Sequence, residues 1–113
     1  STNIKIVQKK NSIAILDLTD SELEIYFIGV VGRFRRRGLG KKLLKSIISF
    51  SKDYGANEIL LEVGVNNIAA KNLYLSFNFK ECGIRKDYYR NSAGLRQDAI
   101  IMKLNLETQP SLL

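Results

Sequence analysis

Apolar and polar residues alternate along the first third of the chain, with the period of two that is typical of half-buried β-strands. The alternating or largely apolar segments are residues 4–9, 13–18 and 23–31. Short polar stretches separate these segments, so we expect an antiparallel meander of three strands. In the second strand, we expect Ile13 and Ile15 to face the core, with Leu16 as a further candidate.

The apolar spacing changes to three and four residues after residue 38, which is the period of an amphipathic helix. The residues that follow this spacing are Leu39, Leu43, Ile47, Phe50 and Tyr54. They predict a helix over residues 39–54, and Gly55 is suited to end it. The next segment, residues 58–65, is almost continuously apolar. We therefore expect a buried strand, parallel to the third one, that completes a β-α-β unit.

A second helix is predicted to begin at Asn66 or Asn67, either of which can cap its first turn, and to end at Asn78. Its apolar side comprises Ala70, Leu73, Tyr74 and Phe77. The last two predicted strands are residues 79–84 and 98–106, with a polar loop at residues 87–97 between them. The elements together predict one α/β domain with a mixed sheet, residues 1–106, and a flexible tail, residues 107–113.

Positive charge is concentrated at one point of this arrangement. The chain of 113 residues has a net charge of +7, and residues 33–45 hold seven basic residues and no acidic one. A strand, a glycine-containing turn and a helix place backbone N–H groups and the positive end of the helix dipole there. The segment therefore favours a compact polyanion such as a nucleotide pyrophosphate. A solvated basic turn and a nonspecific nucleic-acid surface are the alternatives.

The composition argues against several other classes of function. The chain has no histidine and a single cysteine, Cys82, so we expect no disulfide framework and no metal site. It has no apolar run of transmembrane length and no signal-peptide pattern, so we expect a cytoplasmic protein that binds no membrane. Leu43 stands where a dinucleotide-binding motif has its third glycine, and the P-loop motif is absent.

Several ordered motifs resemble those of the GNAT acetyltransferases. Arg35, Gly38 and Gly40 match the acetyl-CoA motif [Q/R]xxGx[G/A], and residues 61–74 are similar to the LEVxxxNxxAxxLY signature of that family. Residues 84–89 and 98–102 are similar to one branch, the ribosomal-protein-alanine N-acetyltransferases (RimI). The chain departs from the pattern at Gly32, where proline is frequent, and at Asn78, where glycine is usual. It starts at the second strand of the family pattern, so we expect the first strand and two helices to be lacking.

The resemblance implies a GNAT acetyl-CoA-binding fold with acetyl-CoA as co-substrate. It implies that the strand residues Ile28, Gly29 and Val30 pair with the pantetheine arm and polarise the thioester carbonyl. It places Asn67 and Tyr74 against the coenzyme, although Asn67 is equally well explained as a helix cap. The residues implied to surround the pyrophosphate are Arg35, Arg36, Arg37, Gly38, Leu39, Gly40 and Lys41.

Two residues are candidates for the acid–base chemistry. Glu62 is the one charged residue in the interior of the apolar strand at residues 58–65, where burial would make a carboxylate a better base near neutrality. On spacing alone, a structural carboxylate paired with a cation explains Glu62 better, but the resemblance implies the base. The resemblance likewise implies that Tyr74 is the acid that protonates the coenzyme sulfur, and a core tyrosine is compatible with that role.

The implied reaction is acetyl transfer by direct attack in a ternary complex, with the N-terminal α-amine of a ribosomal protein as acceptor. A lysine or small amine is an alternative acceptor, and a catalytically silent module that binds RNA or the ribosome is an alternative function. Nucleic acid is not expected as a substrate, and an exposed sheet edge predicts a homodimer. Tyr88 and Tyr89 line an acceptor slot or form a surface pair. Cys82 has no activating base near it in the sequence, which argues against an acyl nucleophile.

Overall fold

The computed structural model describes residues 3–32, 38–90 and 93–107 of the chain. It contains six strands and two helices in the described residues. In chain order they are β1 (Asn3–Lys9), β2 (Ser12–Leu18), β3 (Glu22–Val30), α1 (Leu39–Tyr54), β4 (Glu58–Gly64), α2 (Ile68–Ser76), β5 (Lys80–Arg90) and β6 (Arg96–Asn105).

All six strands form one mixed sheet in the order β1-β2-β3-β4-β6-β5. The pair β3–β4 is parallel and encloses α1 in a crossover, while the other four neighbouring pairs are antiparallel. The predicted meander, β-α-β unit and C-terminal strands are therefore confirmed. Arg33 and the three arginines Arg35, Arg36 and Arg37 lie outside the described residues.

The core lies between one face of the sheet and the two helices. α1 buries Leu43, Leu44 and Ile47 completely, as its apolar spacing predicts. The sheet contributes buried residues at alternate positions, and α2 packs its partly buried apolar residues against this cluster. The sheet and α2 residues in the cluster include Leu16, Leu23, Ile25, Ile59, Leu61, Val63, Leu73, Tyr74 and Phe77. We call this side of the sheet the helix face and the opposite side the open face.

The structure reverses the predicted orientation of β2. Ala14 and Leu16 are fully buried on the helix face, whereas Ile13 and Ile15 are only partly buried on the open face. The prediction was wrong because β2 is apolar at both sets of alternate positions. Strand periodicity shows which residues share a face, but it does not show which face the helices cover when both are apolar.

The prediction of a polar loop over residues 87–97 was also wrong, because much of this stretch is strand. β5 continues to Arg90 and β6 begins at Arg96, so most of this stretch forms an extended hairpin beyond the main sheet. The register shifts between Arg85 and Tyr89, where Asp87 has a positive φ of 51° and its N–H donates to Asp98 Oδ1 at 3.0 Å. Polar residues can pair in an exposed two-stranded ribbon, so polarity alone did not mark a loop here.

The parallel strands β3 and β4 separate part of the way along their length. Their pairing runs from Glu22 and Glu58 to Ile25 and Leu61 and then stops. Tyr26 is an extra residue at this point, because Ile25 and Phe27 oppose consecutive residues of β2. Such a β-bulge bends its strand and increases the local twist. The separated ends leave a gap in the sheet that we call the cleft.

Candidate active site

The cleft brings together residues from β3, β4 and α2 around a cavity of about 150 Å³. Three of the predicted site residues line the side of the cavity opposite β3, namely Glu62, Asn67 and Tyr74. From β3, Ile28 also lines the cavity. Residues that are up to 46 positions apart in the sequence, from Ile28 to Tyr74, therefore share one small space at the point where the two strands separate.

The N-terminus of α1 is built as the sequence predicts. Gly38 is its cap residue, with a left-handed φ of 75° that glycine adopts without strain, and it provides no capping side chain. Its carbonyl accepts the first helical hydrogen bond, from Lys42 N–H, at 3.0 Å. The N–H groups of Leu39, Gly40 and Lys41 belong to the first turn, which has no acceptor inside the helix. This end of the helix is suited to hold an anion.

Glu62 lies on the open face of β4 at the edge of the cleft. Its side chain is 24% exposed, and Arg85 Nε lies 3.1 Å from its Oε1. Arg85 in turn stacks over the ring of Tyr88, with 4.7 Å from the guanidinium carbon to the ring centroid. Glu62 is thus the paired carboxylate that its spacing suggested, and it also lines the cleft where a base would have to be.

Tyr74 and Asn67 approach the cleft from α2. The ring of Tyr74 packs against Phe79, with the two centroids 5.7 Å apart and the planes tilted by 57°. Asn67 caps the helix, because its Oδ1 accepts a hydrogen bond from Ala70 N–H at 3.2 Å. Tyr74 is therefore a core tyrosine and Asn67 is a helix cap, as the sequence allowed. Both side chains also line the cleft.

Gly29 and Val30 continue β3 past the cavity and remain paired with Ile13 and Ser12 of β2. A side chain at Gly29 would collide with the ring of Phe27, which lies 2.6 Å from the position of a Cβ atom. The edge of β3 that faces β4 has no strand partner beyond Ile25 in the described part of the sheet. An extended ligand has room to pair with this edge, in the manner of an added strand.

The open face holds a second cavity of about 430 Å³ that the sequence did not predict. It adjoins the cleft, since Ile25, Tyr26 and Glu62 line both cavities. We call it the acidic pocket, and the residues that line it are Glu24, Ile25, Tyr26, Glu62, Arg85 and Tyr88. The predicted acceptor-slot residue Tyr88 is among them, while the side chain of Tyr89 lies outside the described part of the structure.

Acidic residues around this pocket interact strongly with one another. Burial raises the pKa of Glu24, and the negative charges of Glu62 and Asp17 raise it further, while Arg85 opposes them. The hydroxyl of Tyr26 donates to Asp17 Oδ2 at 2.6 Å, and this hydrogen bond raises the pKa of Tyr26 to about 12. Asp17 is 5% exposed, and its Oδ1 has no hydrogen-bond partner among the described residues.

A signal for the acidic pocket was present in the sequence. Asp17 and Glu24 each stand in an apolar strand, and in an antiparallel pair of strands directly opposite residues share a face. The structure pairs these two residues directly. They are neighbours because of the register between β2 and β3, which depends on the short link between these strands. The sequence alone did not determine this register to within one residue.

A larger cavity than the cleft, about 760 Å³, lies elsewhere, between the C-terminal ends of the helices and strands β5 and β6. Cys82 and three lysines line it, but none of the predicted catalytic residues does. Cys82 is exposed and, as the single cysteine of the chain, forms no disulfide within it. Glu62 and Tyr74, the predicted catalytic residues, line the smaller cleft instead.

The residues that the structure describes contain no group of three or more side chains that could hold a metal ion. Nor does any helix among them have the length and apolarity needed to cross a membrane.

Comparison with known proteins identifies the family of the chain. The family model described as the acetyltransferase (GNAT) family matches residues 9–79. The [Ribosomal protein bS18]-alanine N-acetyltransferase of Escherichia coli K12 is 38% identical over 104 residues, which are 90% of this chain and 70% of that protein. The N-alpha-acetyltransferase RimI of Mycobacterium tuberculosis is 37% identical over 82 residues, which are 73% of this chain and 48% of that protein.

The fold agrees with these matches. The crystal structure of the ribosomal-protein-S18-alanine N-acetyltransferase from Escherichia coli superposes with a TM-score of 0.81 and 36% identity, over 91% of this chain and 66% of that one. A GNAT acetyltransferase from Elizabethkingia anophelis, solved with acetyl-CoA bound, shares the fold with a TM-score of 0.78 at 21% identity, over 94% of this chain and 77% of that one. Acetyl-CoA is the co-substrate of this family of enzymes. The chain belongs to the GNAT family of N-acetyltransferases, as its motifs predict.

Proposed function

We propose that this chain transfers the acetyl group of acetyl-CoA to the N-terminal α-amine of a ribosomal protein. The observation that carries the proposal is the convergence of Glu62 and Tyr74 on one cavity between the separated strands. The name of the Escherichia coli relative, matched both in sequence and in structure, supports the choice of acceptor, since it is an alanine N-acetyltransferase of a ribosomal protein. The chain spans 66% of the length of the crystallised relative, so the activity of the whole protein is part of the proposal.

The residues present fit acetyl-CoA at two points. The α1 N-terminus offers helix N–H groups and Lys41 to the pyrophosphate, and Arg35, Arg36 and Arg37 precede this helix closely in the sequence and add positive charge. The free edge of β3, at residues 28–30, offers backbone groups to the extended pantetheine arm. Asn67 lines the cleft between these two points, and the acetyl group is then placed beside Glu62 and Tyr74.

The proposed chemistry is direct attack in a ternary complex. The carboxylate of Glu62 accepts a proton from the acceptor ammonium, directly or through a water molecule, which frees the nitrogen lone pair. A bond forms between this nitrogen and the acetyl carbon, and the bond from that carbon to sulfur breaks. Tyr74 donates its hydroxyl proton to the departing thiolate. The nitrogen loses its second proton as the amide forms, and that proton restores the hydroxyl of Tyr74 through the solvent. Glu62 and Tyr74 reach the cleft from β4 and α2 respectively, so each can act on a different side of the reacting carbon.

The test is acetyl transfer to ribosomal N-terminal peptides by Glu62→Gln and Tyr74→Phe. We expect each substitution to lower kcat by about 10²–10⁴-fold, the usual contribution of a positioned acid or base, with acetyl-CoA binding retained in titration calorimetry. Glu58→Gln is the matched control, because Glu58 lies on the same face of β4 and pairs with Lys103 at 3.3 Å outside the cleft. Wild-type kcat in both variants, or transfer to free lysine and small amines in preference to peptides, would contradict the proposal.

A silent RNA-binding module is the second candidate, and the basic segment around Lys41 and Lys42 is the observation that favours it. It predicts tight, salt-sensitive RNA binding that Glu62→Gln and Tyr74→Phe leave unchanged, with no acetyl transfer by the wild type. The predicted homodimer rests on β1, which lies at the edge of the described sheet and exposes Ile4 and Ile6. A monomer in light scattering at high concentration would rule out the homodimer.

A further inference from the structure

Three neighbouring strands each place a carboxylate on the open face beside the cleft. Asp17 of β2 is directly opposite Glu24 of β3. Glu24 is level with Leu60 of β4, and Glu62 is the next residue of β4 on the same face. Like charges at directly opposite positions destabilise a sheet. This arrangement therefore lowers the free energy of unfolding unless a cation binds beside the carboxylates.

The three carboxylates differ in how they are compensated. Glu62 has Arg85 at 3.1 Å, and Asp17 accepts the hydroxyl of Tyr26 at 2.6 Å. Glu24 makes neither an ion pair nor a hydrogen bond through its side chain within the described residues, although it lines the acidic pocket beside Glu62. Asp17 adds a buried oxygen, Oδ1, that also lacks a partner in that part of the chain. The pocket thus holds more negative charge than its own residues neutralise.

We propose that Glu24 is a specificity-determining residue, which selects acceptors that carry a cationic side chain next to the amine to be acetylated. The inference rests on the proposed function and names its acceptor class. The reacting amine occupies the end of the pocket at Glu62, and the second cation occupies the end at Glu24.

The spacing of the two carboxylates suits such an acceptor. Glu24 is level with Leu60 of β4, and Glu62 lies two residues further along that strand, a distance of about 7 Å. Adjacent strands are about 5 Å apart. The two positions are therefore about 8 Å apart. A peptide N-terminus and the charged end of the next side chain lie about as far apart, because one residue of extended chain spans about 3.4 Å and a lysine or arginine side chain adds to that length. Tyr26 and Tyr88 flank the pocket and can contact the aliphatic part of that side chain.

The experiment compares two acceptor peptides that differ only at the second residue, lysine in one and norleucine in the other. We expect wild-type kcat/KM to favour the lysine peptide by about fivefold, through KM rather than kcat, which is the effect of one partly exposed ion pair. Glu24→Gln should reduce this ratio to about one, with the loss in KM for the lysine peptide. Glu22→Gln is the matched control, because Glu22 lies on the same face of β3 but not in the pocket, and it should keep the full ratio.

The outcomes separate this inference from the proposed function. Equal kcat/KM for the two peptides in the wild type, or an undiminished ratio in Glu24→Gln, would overturn the role of Glu24 and leave the acetyltransferase proposal standing. If neither peptide is acetylated, the proposed function fails, and fluorescence anisotropy of labelled peptides decides the inference instead. Tighter binding of the lysine peptide that Glu24→Gln abolishes would support it, and equal binding of both peptides would overturn it.

Discussion

The α1 N-terminus and the acidic pocket are opposite in charge and in the way the chain builds them. The basic end of α1 comes from one continuous stretch, in which Gly38, Gly40 and the lysines follow one another directly. The acidic pocket is assembled from β3, β4 and β5, and its Glu24 and Tyr88 are 64 positions apart. A continuous motif can be recognised in a sequence, whereas an assembled pocket depends on strand register and on the order of strands in the sheet.

Under the proposed function, this difference separates the two substrates. The pyrophosphate of acetyl-CoA is a polyanion and the proposed acceptor is a cation, so each would be attracted to a different end of the cleft. The net charge of +7 does not reveal the acidic pocket, because the basic residues are concentrated elsewhere. The comparison can be tested by weakening either end, and four substitutions do so with effects of decreasing size.

Gly38→Glu attacks the basic end and should have the largest effect. It places a side chain at a φ of 75° and a carboxylate at the positive end of the helix, so we expect acetyl-CoA binding to weaken by about 100-fold or more. Gly94→Glu is the matched control, because Gly94 has a similar φ of 79° in the distant β5–β6 hairpin. Titration calorimetry measures both. Equal losses in the two variants would show damage to the fold, and unchanged binding in Gly38→Glu would place the coenzyme elsewhere.

Tyr26→Phe attacks the acidic end through stability. It leaves the buried carboxylate of Asp17 without its hydrogen-bond donor, which should lower the free energy of unfolding measured in urea at neutral pH. Because the bond raises the pKa of Tyr26 from 10 to about 12, its stabilisation is complete below pH 10 and is lost as the pH rises through 12. Adding Asp17→Asn should recover part of the loss. An unchanged unfolding midpoint in Tyr26→Phe would show that the bond does not matter.

Arg85→Ala removes the ion-pair partner of Glu62, the residue that lines both the cleft and the acidic pocket. Its effects on stability and on activity should differ. The ion pair is partly exposed, so the free energy of unfolding should fall by less than about 1 kcal/mol. Acetyl transfer should fall further, by about tenfold, because the guanidinium fixes the position of the carboxylate. Lys86→Ala is the control, since Lys86 is paired only loosely, with Asp98 at 3.7 Å. Equal activity of the two variants would mean that Arg85 does not position Glu62.

Glu24→Gln should have the smallest effect on stability, and of the opposite sign. Since the folded state raises the pKa of Glu24, the wild type loses stability as the pH rises above the ordinary value of 4.5. The variant should therefore be more stable at pH 7, by about 0.5 kcal/mol, and the advantage should vanish below about pH 4. Urea unfolding at several pH values measures this. A variant that is less stable at neutral pH would show that the charge on Glu24 is compensated.

The sequence predicted the fold well, for a physical reason. Helix spacing, the caps at Asn67 and Gly55 and the apolar run of β4 are local features, and the structure contains all of them. The prediction of the buried side of β2 was wrong because Ile13 and Ala14 are both apolar. The local pattern therefore did not show which face of the strand the helices cover. Glu24 was missed because its significance arises from its neighbours in β2 and β4 rather than from its own surroundings in the sequence.

The bulge at Tyr26 has a consequence for how the chain can vary in length. Ile25 and Ile28 both face the core, and Phe27 faces away from it, only because one extra residue stands between Ile25 and Phe27. Deleting Tyr26 would restore simple alternation without turning any other side chain to the wrong face. The strand would then be free to run straight beside β4 and to close the gap. In genetic terms, a single codon separates an uninterrupted sheet from one that opens to hold a ligand.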